Sequence, residues 1–251
     1  MEVRTFSVLG VNVAITDVDQ TCQQIESWVK TKKKTYVCLA PVSTIVACQS
    51  DPNYKEVVNK SGMTTPDGMP LVWLGRKVSS EIKRTYGPDV LLELCRRGQK
   101  YGLKHYFYGG TKETLSNLTL RLKSLFGEIQ IAGCYSPDYL AVAQMEKDDV
   151  FQQINAAQPD VLWVGLGSPK QDYWMNLHRD VLNVPVMMGV GAAFDFIAGT
   201  KKQAPKWMRQ SGLEWVFRLA SEPQRLWKRY LVGNSLFVYY LVVSKIFPKK
   251  Y

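Results

Sequence analysis

Two short apolar runs and the segment between them form the clearest pattern in the chain. Val161–Leu166 and Val184–Val190 each have the length of a buried strand, and each ends in a turn that contains glycines. The intervening residues Pro169–Leu182 predict a helix, with Ser168 as its N-cap and Pro169 at the first helical position. Strand, turn, helix and strand in this order predict a βαβ unit with parallel strands.

The same alternation of strands and helices continues through the earlier part of the chain. Apolar runs predict strands at Thr35–Ala40 and His105–Tyr108, and amphipathic spacing predicts a helix over Val90–Tyr101 that ends at Gly102. Thr111 is the predicted N-cap of the following helix. This alternation predicts an α/β fold with a doubly wound, Rossmann-like sheet.

The character of the sequence changes after residue 200. We predict a catalytic α/β domain over residues 1–200 and a helical appendage over residues 201–251, with short helices at Ala204–Ser211 and Leu213–Leu219. Ser221 and Gln224 match a capping box, which predicts the start of a longer helix. Its apolar side chains form two adjacent stripes: Leu226, Tyr230, Phe237 and Leu241 in one, and Trp227, Leu231, Val238 and Val242 in the other.

Positive charge is concentrated in this appendage. Residues 201–251 hold eleven of the 32 Lys and Arg residues but two of the 22 Asp and Glu residues, so they carry nearly all of the net charge of +10. The uncharged stretch Tyr230–Val243 is shorter than the roughly 20 residues that span a bilayer. Charge and amphipathicity together predict a helix that lies in an anionic membrane surface. The alternative is a helix packed on the core or between the subunits of a homo-oligomer.

Metal-binding patterns are weak in this sequence. The five cysteines are scattered without a C-x-x-C pair, which favours a reduced, cytoplasmic protein, and the two histidines favour packing roles. The N-terminus lacks a signal-peptide pattern. Asp17 and Asp19 form a D-x-D pattern of the kind that holds a divalent ion, but a helical pattern follows, which favours Asp17 as an N-cap.

Glycine turns mark a candidate ligand site. Segments 165–171 and 189–195 follow the two strands of the βαβ unit, and Gly109-Gly110 follows another strand. Ligands of such sheets bind beyond the carboxyl ends of the strands. Neither segment is a complete dinucleotide fingerprint, because Lys170 and Phe194 stand where the third glycine belongs. Tight turns without a ligand are the alternative explanation for these glycines.

Asp67 is a further candidate for the ligand site. It lies between Pro66 and Gly68 at the end of a short predicted strand, a position that holds a carboxylate rigidly near any ligand bound there. The alternative is a turn aspartate that caps the apolar helix predicted over Met69–Gly75.

Taken together, these motifs resemble the WecG/TagA/CpsF glycosyltransferase family over nearly the whole chain. The matching motifs are Thr65-Pro66-Asp67-Gly68-Met69, Arg84-x-x-Gly87-x-Asp89, Tyr108-Gly109-Gly110, Gly165-x-Gly167-x-Pro169-x-Gln171-Asp172, Gly189-Val190-Gly191-x-x-Phe194-Asp195, Ala204-Pro205, Gly212-Leu213-Glu214-Trp215 with Arg218, Glu222-Pro223 and Arg229-Tyr230. The resemblance implies an inverting enzyme that moves a sugar from a UDP-sugar to a polyprenyl-diphosphate-linked sugar. It also implies a role in cell-wall or surface-polysaccharide synthesis and a location in the cytoplasm, peripheral at the inner face of the cell membrane. The donor sugar would be of the N-acetylmannosamine type, or a related hexose or uronic acid.

The resemblance also suggests residue roles. It implies Asp67 as general base, Gln171 as an essential polar residue, and Arg84 as a contact to substrate or to the leaving phosphate. Gly109, Gly110, Gly165, Gly167, Pro169, Gly189, Gly191 and Asp195 would shape the nucleotide site, and Arg218, Arg225 and Arg229 would close over it from the appendage. We expect no metal or other cofactor, because arginines and backbone N–H groups can take up the charge on departing UDP.

This chain departs from the family at one strand. Cys38 and Ala40 stand where relatives carry a Thr-x-Asn-like pattern, so the expected polar side chains are missing.

Two other functions use some of the same features. A nicotinamide-dependent oxidoreductase would use a similar sheet, but it needs the complete glycine fingerprint and an acidic residue about 20 positions later. A nucleic-acid-binding protein would explain the charge of the appendage. It leaves Asp67 and the glycine turns without a role, so no nucleic-acid partner is expected.

Overall fold

A computed structural model describes residues 3–138, 142 and 148–246. A parallel six-stranded sheet lies at its centre, in the order β4-β3-β8-β7-β5-β6, and β1 and β2 form a separate antiparallel hairpin. The strands are β1 Thr5–Val8, β2 Val11–Ala14, β3 Thr35–Ala40, β4 Met63–Pro66, β5 Lys104–Gly109, β6 Gln130–Tyr135, β7 Val161–Gly165 and β8 Val186–Gly189. This sheet confirms the Rossmann-like α/β prediction.

Helices cover both faces of the sheet. Those of the first 200 residues are α1 Val18–Lys30, α2 Val42–Ser50, α3 Pro52–Asn59, α4 Met69–Gly75, α5 Gly87–Gly98, α6 Lys112–Leu125, α7 Asp148–Ala157, α8 Lys170–His178 and α9 Ala193–Ala198. The later ones are α10 Lys206–Ser211, α11 Glu214–Ser221, α12 Pro223–Trp227 and α13 Gly233–Ile246, with a π-helical turn over Lys228–Val232 between the last two. A 3₁₀ turn over Gln99–Tyr101 follows α5 and ends at Gly102, as predicted.

Strand residues alternate between two apolar cores. Val37 and Leu39 of β3 face the core that includes α1, α5 and α6, whereas Tyr36 and Cys38 face the core that includes α7 and α8. Because strands buried on both faces need no polar positions, they appear in the sequence as continuous apolar runs. Since all six strands are parallel, the turns after β3, β4, β5, β7 and β8 meet at one edge.

Helix-capping predictions have mixed outcomes. Asp17 and Thr111 cap α1 and α6, each accepting a hydrogen bond from a backbone N–H. The prediction for Ser168 is wrong, because α8 begins at Lys170 and its N-cap position is occupied by Pro169. The capping box at Ser221 is wrong as well, since the Ser221 hydroxyl donates to the Phe217 carbonyl inside α11.

The two apolar stripes of the last helices have different surroundings. Leu226 and Phe237 of the first stripe are buried, and Phe237 packs in a core that includes residues of α2 and α4. All four residues of the second stripe are exposed: Trp227, Leu231, Val238 and Val242. Within residues 3–246, so far as they are described, no helix is long and apolar enough to cross a membrane. Residues 247–251 of the predicted appendage lie outside the described residues, and the domain boundary at residue 200 stays a prediction.

Candidate active site

A cavity of about 260 Å³ lies between the turn after β4 and the last helices. Asp67 and Arg84 line it from the sheet side, and Glu214, Arg218 and Arg229 line it from α11 and the π-helical turn. Four residues that the sequence analysis selected, Asp67, Arg84, Arg218 and Arg229, therefore meet at one place.

The Asp67 turn is fixed to the end of β3. The backbone N–H groups of Asp67 and Gly68 both lie against the Ala40 carbonyl oxygen, at 3.2 and 3.4 Å. A Cβ atom on Gly68 would lie 3.3 Å from the backbone nitrogen of Val42, so a larger residue would crowd this turn. Helix α4 begins without a side-chain cap from any residue that the structure describes, so the capping alternative for Asp67 is wrong.

Arg84 contacts two carboxylates in this cavity. Its Nε donates to the Asp67 backbone carbonyl at 2.5 Å, and its Nη2 lies 3.3 Å from Asp67 Oδ1. The same Nη2 lies 2.6 Å from Glu214 Oε2. The guanidinium also lies 4.3 Å from the centre of the Tyr86 ring. Arg84 thus joins the Asp67 turn to α11, and its predicted contact with substrate stays a prediction.

The pKa of the Asp67 carboxyl is raised above its ordinary value. Burial is the main cause, the nearby Glu214 adds to it, and Arg84 and Arg218 oppose it. A carboxylate whose proton affinity is raised is better suited to general-base catalysis at neutral pH than an ordinary aspartate.

Arg218 and Arg229 form no close ion pair with any acidic residue that the structure describes. The Arg218 guanidinium lies 5.5 Å from the Phe196 ring, and the buried Nε of Arg229 has no hydrogen-bond partner. Among the described residues, no carboxylate lies within 4.0 Å of either guanidinium. A partly buried cation without a close counter-ion is stabilised when an anion joins it. These two side chains therefore suit an anionic ligand such as a diphosphate.

Arg225 differs from these two arginines. Its Nε lies 2.6 Å from Glu222 Oε2, its side chain is half exposed, and it is absent from the described residues that line the cavity. The structure therefore does not bring Arg225 together with Asp67, and a binding role for it stays a prediction.

Gln171 lies buried at the two glycine turns. Its Oε1 accepts hydrogen bonds from the backbone N–H groups of Gly167 and Gly191, both at 3.0 Å. Its Nε2 donates to the Ser168 hydroxyl at 3.1 Å. Gln171 is not among the described residues that line the Asp67 cavity. This geometry gives it a positioning role for the turns after β7 and β8, and its predicted direct part in catalysis stays a prediction.

Several of the candidate glycines allow close backbone packing. A Cβ atom on Gly109 would lie 2.7 Å from the backbone carbon of Gly165, so neighbouring strands could not approach as closely with another residue there. A Cβ on Gly165 would meet the Phe194 ring, and one on Gly189 would meet Gln171. Gly110, Gly167 and Gly191 have positive φ angles, which favour glycine, and a Cβ on Gly167 would meet no atom within 4 Å.

The remaining candidates lie at the borders of this region. Asp195 accepts hydrogen bonds from the hydroxyls of Thr114 and Thr200, both at 3.3 Å, and pairs with Lys201. Pro169 lines a second cavity of about 200 Å³, which shares Ser43 and Arg229 with the Asp67 cavity. Arg229 therefore lies where the glycine-turn region and the Asp67 cavity adjoin.

Sequence reasoning assigned no role to Glu214 or Asp172. Glu214 is one of two acidic residues in a strongly basic segment, a signal that could have singled it out. Asp172 is fully buried, and its Oδ2 accepts a hydrogen bond from the Tyr54 hydroxyl at 2.6 Å. The Asp172 carboxyl, together with burial, raises the pKa of the Cys38 thiol, so the position that departs from the family lies near this buried carboxyl.

Comparison with known proteins identifies related chains. Residues 6–251 match the glycosyl transferase WecG/TagA/CpsF family. Three relatives share the name N-acetylglucosaminyldiphosphoundecaprenol N-acetyl-beta-D-mannosaminyltransferase. One from Bacillus subtilis (strain 168) is 34% identical, over 79% of this chain and 75% of its own. One from Bacillus spizizenii is 28% identical over 86% of both chains, and one from Staphylococcus aureus is 25% identical over 97% and 94%.

These matches confirm the predicted class of function. They favour a sugar-transferring enzyme over the oxidoreductase and the nucleic-acid-binding alternatives. Because the family match spans almost every residue, it covers the Asp67 turn, the glycine turns and the last helices alike. The chain belongs to the WecG/TagA/CpsF family of glycosyl transferases.

Proposed function

We propose that this enzyme transfers N-acetylmannosamine from its UDP derivative to N-acetylglucosamine carried on a polyprenyl diphosphate. The observation that carries the proposal is the cavity in which the partly buried Asp67 lies with Arg218 and Arg229, two arginines that have no described carboxylate within 4.0 Å. The names of the relatives supply the two sugars and the lipid.

The proposed reaction is a direct displacement with inversion. Asp67 accepts the proton of the acceptor hydroxyl as that oxygen bonds to the anomeric carbon of the donor. The bond between that carbon and the UDP oxygen breaks, and the electron pair leaves with UDP. Arg218 and Arg229 stabilise the negative charge that gathers on the diphosphate. Because these two arginines stabilise the leaving diphosphate, the proposed mechanism requires no metal ion.

The glycine turns are the proposed nucleotide region. They follow β5, β7 and β8 at the same edge of the sheet as Asp67. Gln171 fixes two of these turns to each other through its bonds to Gly167 and Gly191. The donor would then extend from these turns toward Arg229 and Asp67.

A transfer assay tests the proposed substrates. Purified enzyme would be mixed with a short-chain polyprenyl-diphosphate N-acetylglucosamine and, separately, with the UDP derivatives of N-acetylmannosamine, N-acetylglucosamine, glucose and N-acetylmannosaminuronic acid. We expect mass spectrometry to show one added N-acetylmannosamine and released UDP, NMR to show the inverted anomer, and excess EDTA to leave the rate unchanged. Transfer of another sugar would overturn the donor assignment, and loss of activity in EDTA would overturn the metal-independent mechanism.

We also propose that the exposed apolar stripe of the last helices rests on the inner face of the cell membrane. Leu231, Val238 and Val242 are each about half exposed, and Lys228 lies on the same segment. Apolar side chains beside cations favour the interface of an anionic bilayer. An acceptor carried on a lipid would then reach the cavity without leaving the membrane.

Vesicle binding tests this surface. Changing Leu231, Val238 and Val242 together to Asn is expected to reduce co-sedimentation with phosphatidylglycerol vesicles at least fivefold, because each loses buried apolar area. Leu120→Asn, on the exposed face of α6, is the matched control and should sediment as the parent does. Unchanged sedimentation of the triple variant would contradict the proposal. A change in oligomeric state without a change in sedimentation would instead identify the stripe as a subunit interface.

A further inference from the structure

We propose that Glu214 is a positioning residue that keeps Asp67 able to accept a proton, by drawing the Arg84 guanidinium away from the Asp67 carboxylate. This inference rests on the proposed function, in which Asp67 is the base. Glu214 belongs to α11, so the residue that adjusts the base comes from the last helices rather than from the sheet.

The distances around Arg84 show which groups each of its nitrogens contacts. Nη2 lies 2.6 Å from Glu214 Oε2 but 3.3 Å from Asp67 Oδ1. Nε bonds to the backbone carbonyl of Asp67, and Nη1 donates to the Arg209 carbonyl at 3.2 Å. The Asp67 carboxylate therefore receives one long hydrogen bond from Arg84 and no paired, parallel set, while the closer contact with Glu214 Oε2 is an ion pair without hydrogen-bond geometry.

This division matters because of what a closer pair would do. An arginine that donates two parallel bonds to a carboxylate stabilises the ionised form and makes it a weaker base. The side chains of Arg84, Asp67 and Glu214 are only 16%, 21% and 12% exposed, so solvent screens their interactions weakly. With Glu214 present, the guanidinium has a nearer anion, and Asp67 keeps much of its affinity for a proton.

The other charged groups around Asp67 set the background for this effect. Burial raises the pKa of Asp67, and the negative charge of Glu214 raises it further. The positive charges of Arg84 and Arg218 lower it. Arg229, Tyr230 and Tyr86 also interact electrostatically with Asp67. Asp89 also interacts electrostatically with Arg84. Because Glu214 forms a close ion pair with the same guanidinium as Asp67, removing its charge acts on the base both directly and through Arg84.

The Glu214→Gln variant tests the inference through its pH profile. We expect the fall of kcat on the acidic side of the pH profile, its acidic limb, to move to lower pH, since Asp67 would hold its proton less tightly. The maximal kcat at higher pH should fall roughly tenfold, because a weaker base accepts the proton more slowly. The KM for the UDP-sugar should stay within about twofold. Glu214→Asp keeps the charge and should return the limb toward that of the parent.

Glu93→Gln is the matched control, because Glu93, like Glu214, is a helix carboxylate paired with arginine, but it lies on α5 outside the Asp67 cavity. Its profile should match that of the parent. A fall in kcat with an unmoved limb in Glu214→Gln would overturn the inference, and so would a limb in Glu214→Asp that moves as far as in Glu214→Gln. Full turnover by Asp67→Asn would instead overturn the proposed function, so the two failures are distinguishable.

Discussion

Asp67→Asn is expected to lower kcat by about 10²–10⁴-fold, the usual contribution of a general base. The amide of Asn has nearly the shape of the carboxylate but cannot accept the proton of the acceptor hydroxyl at neutral pH. The bonds that fix this turn use the backbone of residue 67, which Asn retains. The substitution should therefore remove the chemistry and keep the turn.

Stability measurements separate this effect from misfolding. Burial raises the pKa of Asp67, so its ionisation favours the unfolded chain, and this cost grows as pH rises from the unfolded pKa to the folded one. A neutral Asn avoids that cost, and Arg84 keeps Glu214 as a partner. We expect calorimetry at pH 7 to show a Tm no lower than that of the parent.

Asp180→Asn is the control for Asp67→Asn. Asp180 also pairs with an arginine, Arg179, but its side chain is 77% exposed. Its turnover should equal that of the parent. If Asp67→Asn had near-parent turnover, or bound UDP much more weakly, Asp67 would not be the base.

Local sequence patterns were enough to predict the framework of the site. Continuous apolar runs ending in glycines identified β7 and β8, because strands buried on both faces tolerate few polar residues. The turn at Pro66-Asp67-Gly68 and the bounds of α4 were predicted correctly because proline and glycine restrict the local backbone.

Contacts between distant residues were beyond these patterns. Gln171 bonds to Gly191, 20 positions away, and Arg84 pairs with Glu214 across 130 positions, and neither spacing follows from a helix or strand period. The capping box at Ser221 had the right local pattern, but α11 continues through this residue. Both stripes of the last helices were visible in the sequence, whereas which of them faces the core depends on packing with α2 and α4.

Arg229→Ala is expected to lower kcat/KM by about 10²-fold, the second largest effect. The Arg229 guanidinium lies in the Asp67 cavity and in the adjoining smaller one, so a diphosphate between these cavities would bond to it. Hydrogen bonds from arginine to phosphate are among the strong ones, at about 1.5–3 kcal/mol each. Losing two of them accounts for the expected loss of rate.

The unpaired state of Arg229 gives this prediction a second readout. Burial disfavours the charge of Arg229 and lowers the pKa of its guanidinium, and its Nε has no hydrogen-bond partner. The side chain therefore lowers the stability of the folded protein until an anion binds to it. We therefore expect Arg229→Ala to have an unchanged or higher Tm without ligand and to lose most of the stabilisation that UDP gives the parent. Lys228→Ala removes the same charge from an exposed neighbour and should keep the full response to UDP. An Arg229→Ala protein that UDP still stabilises as strongly as the parent would remove Arg229 from the binding site.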